Sequence, residues 1–270
     1  MRIHHLNCGT LCPYCERLIN GKGSWTKPGK MICHCMLIET NQGLVLVDTG
    51  FGTSDIENPG QLGKPFLALT GAQLNPSDTA LAQITALGFQ REDVQHIVLT
   101  HLDLDHAGGI SDFPNAKVHV YRSEHEAAMH PSWREKSRYR PAHFKHNPKW
   151  VLHDSGGDQW FGFSGIQVIE GLDDDVALIP LTGHTQGHCG VAVRSAGGWK
   201  LHAGDAYFYH GQMEAQPHQP VGLKIFENLV QINKRKRLEN QLRLRELALE
   251  HRGQVEVFCA HDPVEFERYA

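Results

Sequence analysis

No stretch of this chain stays apolar long enough to cross a bilayer, so no membrane partner is expected. The opening residues, M-R-I-H-H-L-N-C, lack the apolar core of a signal peptide, which makes the cytoplasm the expected compartment. Neither sign of charge dominates. The formal net charge is −4 over 270 residues, which gives no electrostatic case for nucleic acid. No linker divides the chain and no short repeat recurs, so a single domain over residues 1–270 is expected. The seven cysteines are odd in number and come without an export signal, which predicts reduced thiols. Cys12 and Cys15 form a C-x-x-C ahead of any strand–helix unit, which disfavours a thioredoxin-like role. With Cys8, Cys33 and Cys35 they could build a small structural zinc site. Plain buried or loop thiols are the simpler reading.

Hydrophobic residues make up 40% and charged residues 21%, an ordinary balance for a globular protein. Histidine is abundant, at 19. The most informative stretch is 97–110, I-V-L-T-H-L-D-L-D-H-A-G-G-I. A short apolar run reads as a buried strand. It feeds directly into His101, Asp103, Asp105 and His106, with Leu102 and Leu104 alternating among them. Small residues at 107–109 let backbone pass close to a crowded site. A strand end that projects imidazoles and carboxylates together and then turns is what a two-metal site needs.

This run resembles the H-x-H-x-D-H signature of the metallo-β-lactamase superfamily, with Asp103 standing where the family has His. Further landmarks follow the family's order: L-V-D-T-G at 46–50, G-H-T-Q-G-H at 183–188, H-A-G-D-A at 202–206 and C-A-H-D at 259–262. The resemblance implies an αββα sandwich, two mixed sheets with helices on the outer faces. It also implies two divalent cations: zinc first, iron or manganese as alternatives. Carried over residue by residue, His101, Asp103 and His184 hold the first and Asp105, His106 and His261 the second. Asp205 bridges them, and Asp48 supports the site from behind. His188 and His202 match no ligand position. Four neutral histidines and three aspartates leave the ligand set at −3, which two divalent ions and a shared hydroxide bring to zero. That extra carboxylate predicts a less electrophilic first metal and tolerance of harder ions.

The implied activity is hydrolysis of a lactone or carboxylic ester by the shared hydroxide, with Asp105 orienting it and passing a proton to the leaving alkoxide. Tyr207 or Tyr209 could donate to the carbonyl oxygen; the family's tyrosine position falls on Phe208. Size and layout look most like the branch acting on acyl-homoserine lactones. Organophosphate triesters or thioesters are alternatives on the same centre. A di-iron redox protein and a non-catalytic metal module are readings of other classes. The expected partner is a small-molecule substrate, with a homodimer contact open at residues 51–75.

The remaining chain reads as follows. Residues 8–30 are a loop over one face, and 130–149 and 207–222 are candidate rim or lid loops. Strands are expected at 32–39, 44–47, 118–121, 166–170, 176–180, 191–194, 199–202 and 255–259. Ser77 or Asp78 caps a helix to Leu87, and another helix runs from Ser123 to Met129. A third covers 234–250, with Leu238, Leu242 and Leu249 buried and its basic side out. Basic and aromatic residues alternate in 130–149. A pocket wall beside the site and a solvated excursion are its two readings, and Asp173, Asp174 and Asp175 read as a solvated turn.

Overall fold

The structure, a computed structural model, describes residues 1–169, 172 and 175–269. Two six-stranded mixed sheets lie face to face. The first contains, in spatial and chain order, β1 (Arg2–Leu11), β2 (Met31–Thr40), β3 (Gly43–Val47), β4 (Val94–Val98), β5 (Lys117–Tyr121) and β6 (Lys149–His153). The second contains β7 (Asp158–Trp160), β8 (Phe163–Val168), β9 (Val176–Pro180), β10 (Cys189–Ser195), β11 (Gly198–His202) and β12 (Val255–Phe258). β1 to β3 run antiparallel, and β3 to β6 are joined in parallel. In the second sheet only the β11–β12 pair is parallel.

The period-two alternation of the strands explains the layers. One set of side chains, including Met36, Val45, Val47 and Val98, meets Leu178, Val191 and Phe258 between the sheets. The opposite set of the first sheet, including Leu37, Leu46 and Ile97, packs under Ile84 of the helix Ala80–Ala86. The outer face of the second sheet packs under Leu244 and Leu247 of the helix Lys234–Glu250. This is the expected αββα arrangement, with apolar stripes buried on both sides of each sheet.

Several local expectations need correction. Residues 8–30 are not one loop: Cys8–Leu11 finish β1, and a short helix covers Glu16–Asn20. His4, His5 and Asn7 interrupt the alternation of β1, which hides the strand in the sequence, yet it pairs along most of β2. The helix Ala80–Ala86 is capped by Thr79, whose hydroxyl accepts from Ala82 N–H, rather than by Ser77 or Asp78. Short helices at Thr53–Glu57 and Lys64–Thr70 occupy the 51–75 segment. The helix Val221–Val230 and strands β6 and β7 were not expected.

Lys234–Glu250 has the expected limits but a different buried face. Leu238, Leu242 and Leu249 are exposed, while Arg237, Asn240, Gln241, Leu244 and Leu247 are buried. The reason is a buried polar partner: Arg237 donates to Glu227 at 2.8 Å and to Gln231 at 2.7 Å, which pulls that face inward. Strand β8 ends at Val168; Glu170 at the end of the expected strand and Asp173 and Asp174 of the acidic turn lie outside the described residues.

Candidate metal centre

All the expected ligands follow strand ends on one rim of the sandwich. His101 comes three residues after β4, and Asp103 caps the helical turn Leu104–Ala107, which carries Asp105 and His106. His184 follows β9, Asp205 follows β11 and His261 follows β12. The rim gathers six of the seven into two clusters, His101–Asp103–His184–Asp205 and His106–Asp205–His261, each with ligand atoms within 4.8 Å of one another, and Asp105 groups instead with His261 and Cys33.

Asp205 faces both clusters. Its Oδ2 lies 3.3 Å from His184 Nε2 and 3.8 Å from His101 Nε2. Its Oδ1 lies 3.2 Å from His106 Nε2 and 3.1 Å from His261 Nε2. Asp105 Oδ2 is 3.7 Å from His261 Nε2. A tetrahedral ion bound at about 2.0–2.1 Å spaces its donors about 3.3 Å apart, so the spacing suits divalent cations.

The imidazole tautomers suit them too. Nδ1 of His106 bonds Asp48 at 2.9 Å, Nδ1 of His261 bonds the Ile32 carbonyl at 2.7 Å, and Nδ1 of His101 bonds Thr100 Oγ1 at 2.9 Å. Thr100 Oγ1 in turn donates to Asp48 at 2.8 Å. Each Nδ1 therefore carries the proton, and each Nε2 turns a lone pair toward the clusters. Buried His101 Nε2 and Asp205 Oδ1 have no hydrogen-bond partner, although a buried polar atom left so is costly. These residues fit two metal ions.

The supporting shell is extensive. Asp48 sits at φ 53, a left-handed conformation that Asp tolerates, and also accepts Thr100 N–H at 2.8 Å. His188 accepts the Asp205 N–H at 2.9 Å and bonds the Leu181 carbonyl. His202 accepts the Gly204 N–H at 3.2 Å and donates to the His34 carbonyl at 2.6 Å. These two non-ligand histidines therefore brace the turn that presents Asp205. Buried Glu124 accepts Leu102 N–H at 3.1 Å and Gly187 N–H at 2.9 Å, which ties the first ligand loop to the His184 loop.

Three neighbours take places at the centre that the sequence did not assign them. Cys33 Sγ clusters with Asp105 and His261, and burial and then Asp105 push its thiol pKa well up. Neither Cys12 nor Cys15 joins a ligand cluster among the described residues. Phe208, in place of a hydroxyl-bearing residue, stacks on His261 at 5.3 Å. Arg138 donates to both oxygens of Asp103, at 2.8 and 2.6 Å, and lies 2.7 Å from His184 Nε2. Burial works against the Asp103 charge, but Arg138 and His101 outweigh it and hold its pKa well below the usual carboxylate range. His184 is pulled to about 4 by burial and by Arg138. The charge count must be corrected accordingly: with Arg138 the group stands at −2, the value a histidine at 103 would give.

The tyrosines do not turn toward the centre. The Tyr207 hydroxyl is buried and donates to Glu265 at 3.0 Å. Tyr209 lies tilted against His210, ring centroids 4.1 Å apart, and neither tyrosine lines the cavity beside the ligands. That cavity, of about 670 Å³, opens over Asp103, Asp105, His184, Asp205 and His261. Leu11, Met31, Phe66, Leu69, Leu223 and Phe226 form much of its wall, and Arg134, Ser137, Arg138 and Arg140 place part of the 130–149 segment on it. A larger cleft of about 890 Å³ near Trp199, Lys200 and Arg252 contains none of the ligands.

Two layers of helix around facing sheets, with a paired His/Asp centre on their rim, define a metal-binding sandwich hydrolase. Residues 28–234 match the metallo-beta-lactamase superfamily. A probable metallo-hydrolase of Mycobacterium tuberculosis is 41% identical over 264 residues, which cover 97% of this chain and 81% of that protein. The N-acyl homoserine lactonase AiiA of Bacillus thuringiensis is 35% identical over 107 residues, 38% of this chain and 43% of that one. An N-acyl homoserine lactone hydrolase structure with N-hexanoyl-L-homoserine at its catalytic metal centre superposes with a TM-score of 0.71 at 23% identity, covering 98% of this chain and 95% of that one. The chain belongs to the metallo-β-lactamase superfamily, and with it to the metallo-hydrolases. The di-iron redox reading draws no support from these relatives.

Proposed function

We propose that this chain hydrolyses a lactone or carboxylic ester that carries an apolar acyl portion, at a dinuclear centre. The observation that carries the reading is Asp205: its two oxygens face separate His/Asp clusters at the floor of an apolar-walled cavity. His101, Asp103 and His184 would hold one ion, Asp105, His106 and His261 the other, with Asp205 shared. Two divalent cations there, zinc first by donor set, would supply a water acidic enough to ionise near neutral pH and a Lewis acid for a carbonyl oxygen. Asp105 lies on the cavity wall beside His261, where its carboxylate can take the proton of the attacking water and return it to the leaving alkoxide. The apolar wall seats the acyl chain and excludes bulk water from the carbonyl. Phe208 offers no proton; the polar donors on the cavity wall include Tyr14, Ser137, Arg134 and Arg140.

Lactonase relatives of partial coverage support the substrate class. No helix of the described residues is long and apolar enough to cross a membrane, and the seven cysteines are unpaired, which suits the reducing cytoplasm. A homodimer through residues 51–75, where Leu69 is exposed, belongs to the same reading. The test is metal analysis of the purified protein alongside turnover on acyl lactones, aryl esters, phosphotriesters and thioesters. Two ions per chain with lactone or ester turnover are expected, and Asp105→Asn, which alters a ligand as well as the proton acceptor, should lose at least about 100-fold in rate with the metal replenished in excess. Full activity in that variant, or turnover confined to phosphotriesters or thioesters, overturns the assignment.

A further inference from the structure

The first metal cluster contains a cation of its own. Arg138 forms a two-pronged contact with Asp103, Nε to Oδ1 at 2.8 Å and Nη2 to Oδ2 at 2.6 Å. Its Nη1 donates to the His184 carbonyl at 3.3 Å and to the Val230 carbonyl. The Arg138 and Asp103 side chains are only 9% and 13% exposed. A guanidinium with every nitrogen engaged is fixed in place, unlike a rim ion pair. It comes from the 130–149 segment, and its partner is the one residue that departs from the family's ligand pattern.

We propose that Asp103 and Arg138 act as one unit that takes the place of a neutral imidazole. Arg138 is a positioning residue. It aims the Asp103 carboxylate and cancels its charge, so that the ligand group keeps the net −2 of a set with histidine at 103. This rests on the dinuclear reading above. The unit has a cost for the first site. Both Asp103 oxygens already accept from Arg138, and Nη2 lies 2.7 Å from His184 Nε2, the lone pair an ion there would need. A second cation must enter beside a fixed one. The His106–Asp205–His261 cluster has no such competitor among the described residues, and Asp205 and Asp105 both face it. The two sites are therefore unequal, and the second fills first.

Removing the guanidinium has two opposed effects. It frees Asp103 to swing, which weakens binding, and it removes a positive charge at hydrogen-bond range of two ligand atoms, which strengthens binding. The charge effect dominates, because the ion is divalent and the pair is buried.

Cobalt(II) titration of the metal-stripped full chain, followed by its visible absorption, tests this without substrate. The wild type should take two equivalents in two resolved steps. Arg138→Gln should tighten the weaker step by about 10- to 100-fold, the scale of effects from groups behind a ligand. Asp103→His, with Arg138 retained, should bind one equivalent, and Asp103→His/Arg138→Gln should recover the second. Arg138→Lys keeps the charge without the fork and should leave the weak step within a few-fold of wild type. The proposal is overturned if Arg138→Gln leaves the weak step unchanged or weaker, if Arg138→Lys tightens it equally, or if the double variant binds no better than Asp103→His. A wild type that stops at one equivalent, with all variants alike, overturns the dinuclear reading and this inference with it.

Discussion

Asp48→Asn is the most selective probe of how the protein builds its ligands. Asp48 is not expected to touch a metal, yet one carboxylate serves three donors: Thr100 N–H, Thr100 Oγ1 and His106 Nδ1. Asparagine tolerates the positive φ of 53 at this position and nearly matches the shape, so backbone strain stays constant. What changes is one oxygen, which becomes an NH₂. That group cannot accept from His106 Nδ1–H, so the imidazole must either leave a buried donor unpaired or move its proton to Nε2. The second choice removes the lone pair aimed at Asp205 and His261. A lost charge-assisted hydrogen bond is worth about 1.5–3 kcal/mol, or roughly 10- to 100-fold in metal affinity. Competition against a chelator of known affinity reads that change directly. Thermal melts with and without metal separate it from a general loss of stability, because the metal-free proteins should differ less than the loaded ones. Equal affinity in Asp48→Asn and wild type would refute the argument, since it would mean that His106 needs no outside partner to present Nε2.

Two further predictions lie outside the ligands. Burial, then the neighbouring Asp262, raises Glu265 from 4.5 to about 7, so the folded state keeps its proton where the unfolded chain has lost it. This group's contribution to stability is complete below pH 4.5 and is lost as pH climbs to 7, on the order of 3 kcal/mol. Glu265→Gln should flatten that slope in urea melts between pH 5 and 8, and an unchanged slope would show that Glu265 ionises at its ordinary pH. Gly204 adopts φ +53, and a Cβ there would meet His188 Nε2 at 2.6 Å and the Thr100 Cβ at 2.9 Å. Gly204→Ala should lower the melting temperature by several degrees and reduce bound metal, because it displaces the histidine that holds the Asp205 backbone; wild-type metal content would mean that the turn does not depend on His188.

What could be read from the sequence was what is local. The apolar run into His101, the small residues after His106 and the strand-then-ligand rhythm at His184, Asp205 and His261 are each contained in a few consecutive residues. Their convergence follows from strands ending on one rim. The outer helix was legible in extent for the same reason but not in orientation. Leu238 and Leu242 look like a buried stripe until Arg237 finds Glu227, ten residues away on another helix. Tyr207 likewise reads as poised for chemistry because it flanks Phe208, the position of the family's tyrosine. Its direction is set by Glu265, 58 positions further on.

The departure at Asp103 is the case where locality misled most. Taken alone, a carboxylate in place of an imidazole adds one negative charge to the ligand set. Arg138 stands 35 residues later, in a basic and aromatic run whose composition suggested only a wall or a solvated excursion. Nothing in that run marks one arginine of several as the partner. Yet the physics required one. Until metal binds, a carboxylate that is nearly buried, beside a second buried carboxylate at Asp205, needs a compensating cation to stay ionised. In a site packed this closely, an unexpected charge among the ligands is a prediction that its opposite lies within hydrogen-bond range, on whichever element the fold brings there.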